Sequence, residues 1–551
     1  MNIKGENLSN ALFLKTIVIG VLFFSSIAFA QSQPLHEFTY NIKYLGKAFP
    51  NCFDIRVGIK GNNEGKYLLR VSPYFDGITF KENVSYTPSE NRQYLIHSES
   101  MTDLNATYKV CMSNPSRNNL HPIIEKNFFH FMAESLLILP SAPIDELIKI
   151  KIKFEGFPQE YAFVTNHHVN KSEYEVTDTL RNISRSIMAG GRFRIETMYV
   201  NDKPIHIVLY GKWSVFKNDE MKNNLLKIIG KQREFLKDDN FPYFVMIIYD
   251  NDLPKPAMLS GQLYENVLSM LVMDGEEKSK PILYGSFSHE LFHAWIGNKI
   301  KLREPQGDLQ WFFEGVNDFY GWQLALEAGQ LSEKQYIKYF NEVIRDYSLS
   351  PYKTDSNNVL FRDFKLSNPA ARLAMSRGHI VFMEIFNKLK NQQRGREPID
   401  AALREIVDKY SDTKNTVTRE SLDHIFRKHV GDQIWNEALR VLYNGEAVSF
   451  SQKPFSNRIT LSNLAVTAPD FGFNVKSLVK DKRIVSLKKN SNAALAGLKE
   501  NDKVLEYGFN LASATSPAQI VIEESGQQKL IEFMPQETEK VIPQYISIHF
   551  F

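Results

Sequence analysis

The sequence predicts a multidomain α+β protein, on three observations. The chain has 551 residues, more than one compact domain usually holds. Short alternating apolar runs separated by Gly, Asn and Pro fill the stretch from about Glu37 to Val169, whereas a helical period dominates beyond Leu283. The last hundred or so residues return to strands. Composition is ordinary for a globular chain, at 43% hydrophobic and 23% charged. Lys plus Arg number 66 against 63 Asp plus Glu, and no block of like charge stands out, so nothing points to nucleic acid.

The elements follow in chain order. Lys4 and Lys15, the apolar run from Thr16 through Phe24 and the small residues ending in Ala28-Phe29-Ala30 read as a secretory signal peptide over residues 1–30, cleaved before Gln31. The apolar stretch is short for a bilayer span, so no membrane span is expected after cleavage, and a periplasmic or secreted location follows. Residues 31–185 form the expected N-terminal β-domain, with strands near Phe53 to Ile59, Tyr67 to Val71 and Ile148 to Phe154. It carries the two cysteines, Cys52 and Cys111, and spacing alone does not decide between a disulfide and two buried thiols.

Residues 186–450 are expected to hold a mixed α/β and then helical domain. Strands fall at Ile205 to Tyr210 and Tyr243 to Tyr249, with a helix near Glu220 to Leu236 between them. Helices follow near Tyr284 to Ile296, Leu309 to Ala328, Ser332 to Tyr347, Ala370 to Lys390, Ile399 to Tyr410 and Arg419 to His429. Residues 451–551 form a separate small domain, with strands at Arg483 to Leu487 and Lys503 to Tyr507 around a small-residue helix at Asn492 to Leu498. No internal repeat at solenoid periods is present.

The chemistry concentrates in Ser288-His289-Glu290-Leu291-Phe292-His293-Ala294-Trp295. On a helix, HExxH places His289 and His293 one turn apart on one face, where both imidazoles can ligate a single metal ion. Glu290 lies beside them, where a carboxylate can take a proton from an attacking water. Trp311-Phe312-Phe313-Glu314-Gly315-Val316-Asn317-Asp318 offers the third ligand, Glu314, completing a His-His-Glu zinc site with one open position. Asp318, one turn after Glu314, can accept the free ring N–H of a ligating histidine. Other divalent ions accept the same donors.

With these motifs the chain resembles the glycyl aminopeptidase family of thermolysin-like zinc metallopeptidases, in which a β-domain, a catalytic domain and a C-terminal PDZ domain follow one another. The resemblance rests on His289 to Trp295 and on Trp311 to Tyr320. It implies one zinc per chain on His289, His293 and Glu314, a peptide substrate, and aminopeptidase action. Related enzymes hold the substrate's amine on a glutamate after a glycine-rich strand; the matching stretch here is Gly261-Gln262-Leu263-Tyr264-Glu265-Asn266, making Glu265 the candidate anchor. The glycines that usually precede that glutamate are replaced by Gln262 and Leu263.

A second departure lies in Leu373-Ala374-Met375-Ser376-Arg377-Gly378-His379, where Met375 stands in place of the tyrosine that stabilises the oxyanion in such enzymes. Arg377 and His379 are the nearby groups that could substitute. Loss of one oxyanion donor costs on the order of a hundredfold or more in rate. The stretch from Arg483 to Val504 resembles a PDZ domain of the bacterial protease type, with Gly497 supporting a turn and Phe471-Gly472-Phe473 offering a loop for a peptide carboxylate. The alternative function is a protease-like scaffold that binds peptides or a partner protein without efficient turnover.

Overall fold

Alternation in the first third of the chain becomes sheet. The computed structural model describes residues 36–547, apart from 73, 83, 90–92, 100, 113–121, 212–216, 240–242, 251–258, 274–278, 301–305, 364–367, 412–414, 453–454 and 456–457. The expected signal peptide lies outside the described residues. A six-stranded sheet runs Glu173–Thr179, Leu147–Glu155, His36–Tyr44, Cys52–Ile59, Leu104–Cys111, Phe75–Phe80. Phe38, Tyr40, Ile42 and Tyr44 are buried at every second position of its His36–Tyr44 strand, the period that turns one face to a core. The strand Ile187–Gly191 pairs with Phe128–Met132, so this β-rich part continues past residue 185.

Cys52 and Cys111 are register partners on adjacent strands and form a disulfide, which resolves the question the spacing left open. The bridge spans 59 residues of sequence. A Cys52→Ser, Cys111→Ser double variant is expected to lose about 2–4 kcal/mol in urea unfolding of this β-rich part, because the closed loop restricts the unfolded chain. Zinc binding should be unaffected.

A five-stranded sheet follows, in the order Arg194–Val200, Lys203–Tyr210, Tyr243–Asp250, Val267–Met273, Leu259–Tyr264. One face buries Leu263, Met270 and Val272 against helix residues including Leu283, Phe287 and Leu291. The other face buries Tyr264, Val267 and Leu271 against Val164 and Ile187 of the β-rich part. The helices Asn317–Glu327, Glu333–Leu349, Asn368–Asn391, Glu397–Tyr410 and Arg419–Val430 complete the main core.

The structure corrects two local expectations and adds one helix. The HExxH helix spans Lys280–Phe292 and does not reach Ile296; hydrogen-bonded turns and Gly297 at φ +130° follow it. The stretch expected as one helix from Leu309 begins with a π-helix, Trp311–Val316, before Asn317–Glu327. A further helix, Asp432–Asn444, buries Ile434, Trp435, Ala438, Leu442 and Tyr443 between Gly431 and Gly445, both at positive φ.

The C-terminal part has a long ribbon, Ile459–Asp470 paired with Gln536–Ser547, and a sheet of Val504–Gly508, Ala518–Glu524 and Gln527–Phe533. Phe471, Leu478, Ile484, Leu498, Ile520 and Phe533 share its core. The strand expected from Arg483 to Leu487 is absent beyond a single bridge from Arg483 to Lys503. Ser486 takes φ +60°, and the amides of Ser486 and Leu487 donate to the Glu500 carboxylate at 2.9 and 2.7 Å instead of to a neighbouring strand. At the ribbon's end Ile459 and Tyr545 join the helical core. Among the described residues no helix is long and apolar enough to cross a membrane.

Candidate metal centre and active site

His289 lies in the last turn of Lys280–Phe292, and His293 caps that helix with helical φ and ψ, so the two rings stay on one face with centroids 5.0 Å apart. Close packing fixes this helix. A Cβ on Gly321 would lie 2.7 Å from the Cα of His289, and one on Gly285 would overlap the Trp322 ring. The Asn317 amide donates to the His289 carbonyl at 2.7 Å, and the buried Gln232 amide donates to the Ser288 carbonyl at 2.7 Å.

The π-helical turn presents Glu314. Its neighbour Gly315 lies against Gly378 of the Asn368–Asn391 helix, where a Cβ on either glycine would come within 3 Å of the facing backbone. This contact sets the depth of Glu314 beside the histidines. Oε2 of Glu314 is 3.5 Å from Nε2 of His289 and 3.7 Å from Nε2 of His293. Donor atoms of the three residues all lie within 4.8 Å of one another.

The outer ring nitrogens are engaged elsewhere. Nδ1–H of His293 donates to the Ile296 carbonyl at 3.0 Å, and Nδ1–H of His289 donates to Asp318 Oδ1 at 3.1 Å. Both partners only accept, so each Nδ1 carries a proton, and each Nε2 faces Glu314, as an N–H donor to the carboxylate when no ion is bound and as a lone pair when one is. Asp318 is buried at 2% exposure and accepts three further contacts: from the Tyr339 hydroxyl on both oxygens, at 2.8 and 2.7 Å, and from Nδ1 of His379 at 2.7 Å.

Burial alone would raise the Asp318 and Glu314 carboxyls. Hydrogen bonds from His289 and His379 to Asp318, and from His289 and His293 to Glu314, outweigh it and hold both well below the usual carboxylate range. Glu290 runs the other way: burial, aided by Glu314, raises its carboxyl against the pull of the two imidazoles. Two imidazoles among three carboxylates make a site that calls for a cation.

A tetrahedral centre with zinc–ligand arms of about 2.0–2.2 Å has edges of about 3.3–3.6 Å. The Nε2-to-Oε2 separation at His289, 3.5 Å, falls among those edges and the one at His293, 3.7 Å, just above them, and the donor set suits zinc.

Other predicted residues fall differently. Gly261, on the edge strand Leu259–Tyr264, lies directly beside Glu290: a Cβ there would meet Glu290 Cγ at 2.6 Å. Glu265 follows in the turn at φ +52°; its carbonyl accepts from Asn298 at 2.5 Å and its carboxylate lies 3.7 Å from Arg185. Met375 is half-buried, and its carbonyl lies against Gly315.

Arg377 is not brought to the metal cluster, which corrects its reading as a substrate group. It is buried, and its guanidinium donates to the carbonyls of Lys353, Asp355 and Leu442 at 3.0, 2.9 and 3.5 Å, bracing a loop against a helix end. His379 turns to Asp318, behind the His289 ring. Tyr339 was missed altogether: it lies 21 residues beyond Asp318 on another helix, with no local pattern to mark it.

Residues 283–357, which contain His289, Glu290, His293, Glu314, Asp318 and Tyr339, match the family model described as M61 glycyl aminopeptidase. The chain resembles the M61 glycyl aminopeptidases. The crystal structure of an aminopeptidase N family protein from Idiomarina loihiensis is similar with a TM-score of 0.69, covering 92% of this chain and 98% of that one at 13% identity. That likeness speaks for the fold. An M1 zinc metallopeptidase from Deinococcus radiodurans, solved with a Tyr-Ser-Ala substrate, gives a TM-score of 0.49 over 77% of this chain and 96% of that one, at 11% identity. None of the curated proteins matches this chain.

The M61-like segment and the fold support a peptidase. Its helices are the ones that bring the two histidines, Glu290 and Glu314 together.

Proposed function

We propose that this chain is an exported, zinc-dependent metallopeptidase that acts as an aminopeptidase. The observation that carries the reading is the convergence of Nε2 of His289 and of His293 on one Glu314 oxygen, at 3.5 and 3.7 Å, with both Nδ1 atoms engaged by acceptors. His289, His293 and Glu314 would hold the ion. Zinc bound there supplies Lewis acidity toward a carbonyl oxygen and a water molecule.

The protein's own groups do the rest. Glu290 is half-buried beside the cluster, and its raised carboxyl suits it to accept a proton from the attacking water and return it to the leaving amine. The edge strand Leu259–Tyr264 ends the five-stranded sheet next to Glu290, so its outward backbone groups can align an extended peptide by strand addition. Glu265, in the turn after that strand, is the carboxylate assigned to the substrate's ammonium; Arg185 competes for it from 3.7 Å. Residues 1–30 are assigned to export, and the C-terminal part to a PDZ-like module for peptides.

Free and N-acetylated forms of the same peptides test the aminopeptidase assignment. The free forms are expected to be cleaved at least tenfold faster in kcat/KM, with Glu265→Ala removing most of the difference (1.4 kcal/mol is a factor of ten). Equal cleavage of both forms would make the protein an endopeptidase. The scaffold reading has one observation in its favour, Met375, which offers no donor at the position where related enzymes carry a tyrosine hydroxyl.

A further inference from the structure

Asp318 is held by more than its role as a histidine partner requires. Its two oxygens accept from His289, from the single Tyr339 hydroxyl proton that lies between them, and from His379, all within 3.1 Å. His379 is itself fully buried, and its Nε2 accepts from the Tyr336 hydroxyl at 3.4 Å. The Tyr339 ring stacks face to face on Trp322, for which Gly285 of the HExxH helix leaves room. The carboxylate therefore has one available position, and so does the ring of His289.

Tyr336 and Tyr339 share one helix, Glu333–Leu349, and the next turns of that helix are gripped from the C-terminal part. The Asn341 side chain both donates to the Tyr545 carbonyl, at 2.9 Å, and accepts from the Tyr545 amide, at 2.8 Å. Arg345 donates to the carbonyls of Ala512, at 3.0 Å, and Thr467. Tyr545 is nearly fully buried against Phe340, between the tyrosines and Asn341 in sequence. One helix thus touches the C-terminal ribbon with one set of side chains and Asp318 with another.

We propose that Tyr339 and His379 are positioning residues for the metal ligand His289, acting through Asp318, and that the C-terminal ribbon's hold on Asn341 sets how firmly they do so. This inference rests on the zinc reading above. The chemistry asked of it is modest: an imidazole whose orientation is fixed loses less freedom on binding the ion, and a carboxylate that accepts its Nδ1–H strengthens the Nε2 donor. Losing such outer partners typically costs about 10–100-fold in metal affinity.

The test is zinc affinity by competition with a chromophoric chelator, on the full-length protein, with the melting temperature of the metal-free form measured alongside. Tyr339→Phe, which keeps the ring and its stack on Trp322, is expected to weaken zinc about tenfold or more while metal-free melting stays near wild type. His379→Leu should weaken it comparably, and His379→Asn, which keeps an N–H near the Nδ1 position, should recover most of the loss. Asn341→Ala is expected to weaken zinc several-fold, less than Tyr339→Phe.

Zinc affinity within twofold of wild type in both Tyr339→Phe and His379→Leu would overturn the positioning role. Loss in those two with none in Asn341→Ala would overturn the link to the ribbon. A wild-type protein that binds no zinc would instead defeat the zinc reading itself, so the two failures are distinguishable.

Discussion

Glu290→Gln is expected to abolish measurable turnover of a peptide library, by at least about a hundredfold and up to about ten-thousandfold in kcat, the range a general base contributes. The amide keeps the size and burial of the side chain beside Gly261 but cannot accept the proton. Zinc content should remain at the wild-type level, since Glu290 is not among the three donors that converge on the cluster. Kinetic assays on matched, zinc-loaded preparations check this. Turnover that survives the substitution would rule out Glu290 as the base. A wild type that is itself inert, with zinc bound, would favour the peptide-binding scaffold and point to Met375.

The second large effect is expected from Glu314→Ala. It removes one of three donors and leaves only two imidazoles, so zinc should dissociate during purification and activity should fall with it. Elemental mass spectrometry of the variant, purified without chelators, is expected to give well under half the wild-type zinc. An unchanged zinc content would mean that the ion sits elsewhere. Because Glu314 stands on a π-helical turn against Gly378, circular dichroism on the same sample separates loss of the ligand from loss of the fold.

What the sequence made legible was local. His289, Glu290 and His293 are set by one helical period, and Asp318 follows Glu314 by one turn, so spacing alone places them on shared faces. The β-rich first part and the helical second part were readable because periods of 2 and 3.6 are carried by the residues themselves. Asp432–Asn444 was readable in the same way, from an apolar stripe between two glycines, although it was not anticipated.

What failed depends on distant partners. Arg377 reads as an available cation until carbonyls from residues 22, 24 and 65 positions away close around it. Tyr339 and His379 reach Asp318 across 21 and 61 residues, through helix packing that no short pattern encodes. The stretch from Arg483 to Leu487 has strand-like side chains, but Glu500 captures two of its amides and a left-handed Ser486 breaks the extension. The π-turn at Trp311–Val316 lies where Gly315 and Gly378 approach closely, a tertiary contact that no short pattern encodes.

The most direct test of the central claim is the zinc content of the wild-type chain, measured by elemental mass spectrometry after purification without chelators and again after incubation with zinc and desalting. About one zinc per chain, as purified or restored, is the result expected from the three converging donors. No zinc retained in either state would contradict a metal centre at His289, His293 and Glu314 and would leave peptide binding as the better account of the fold.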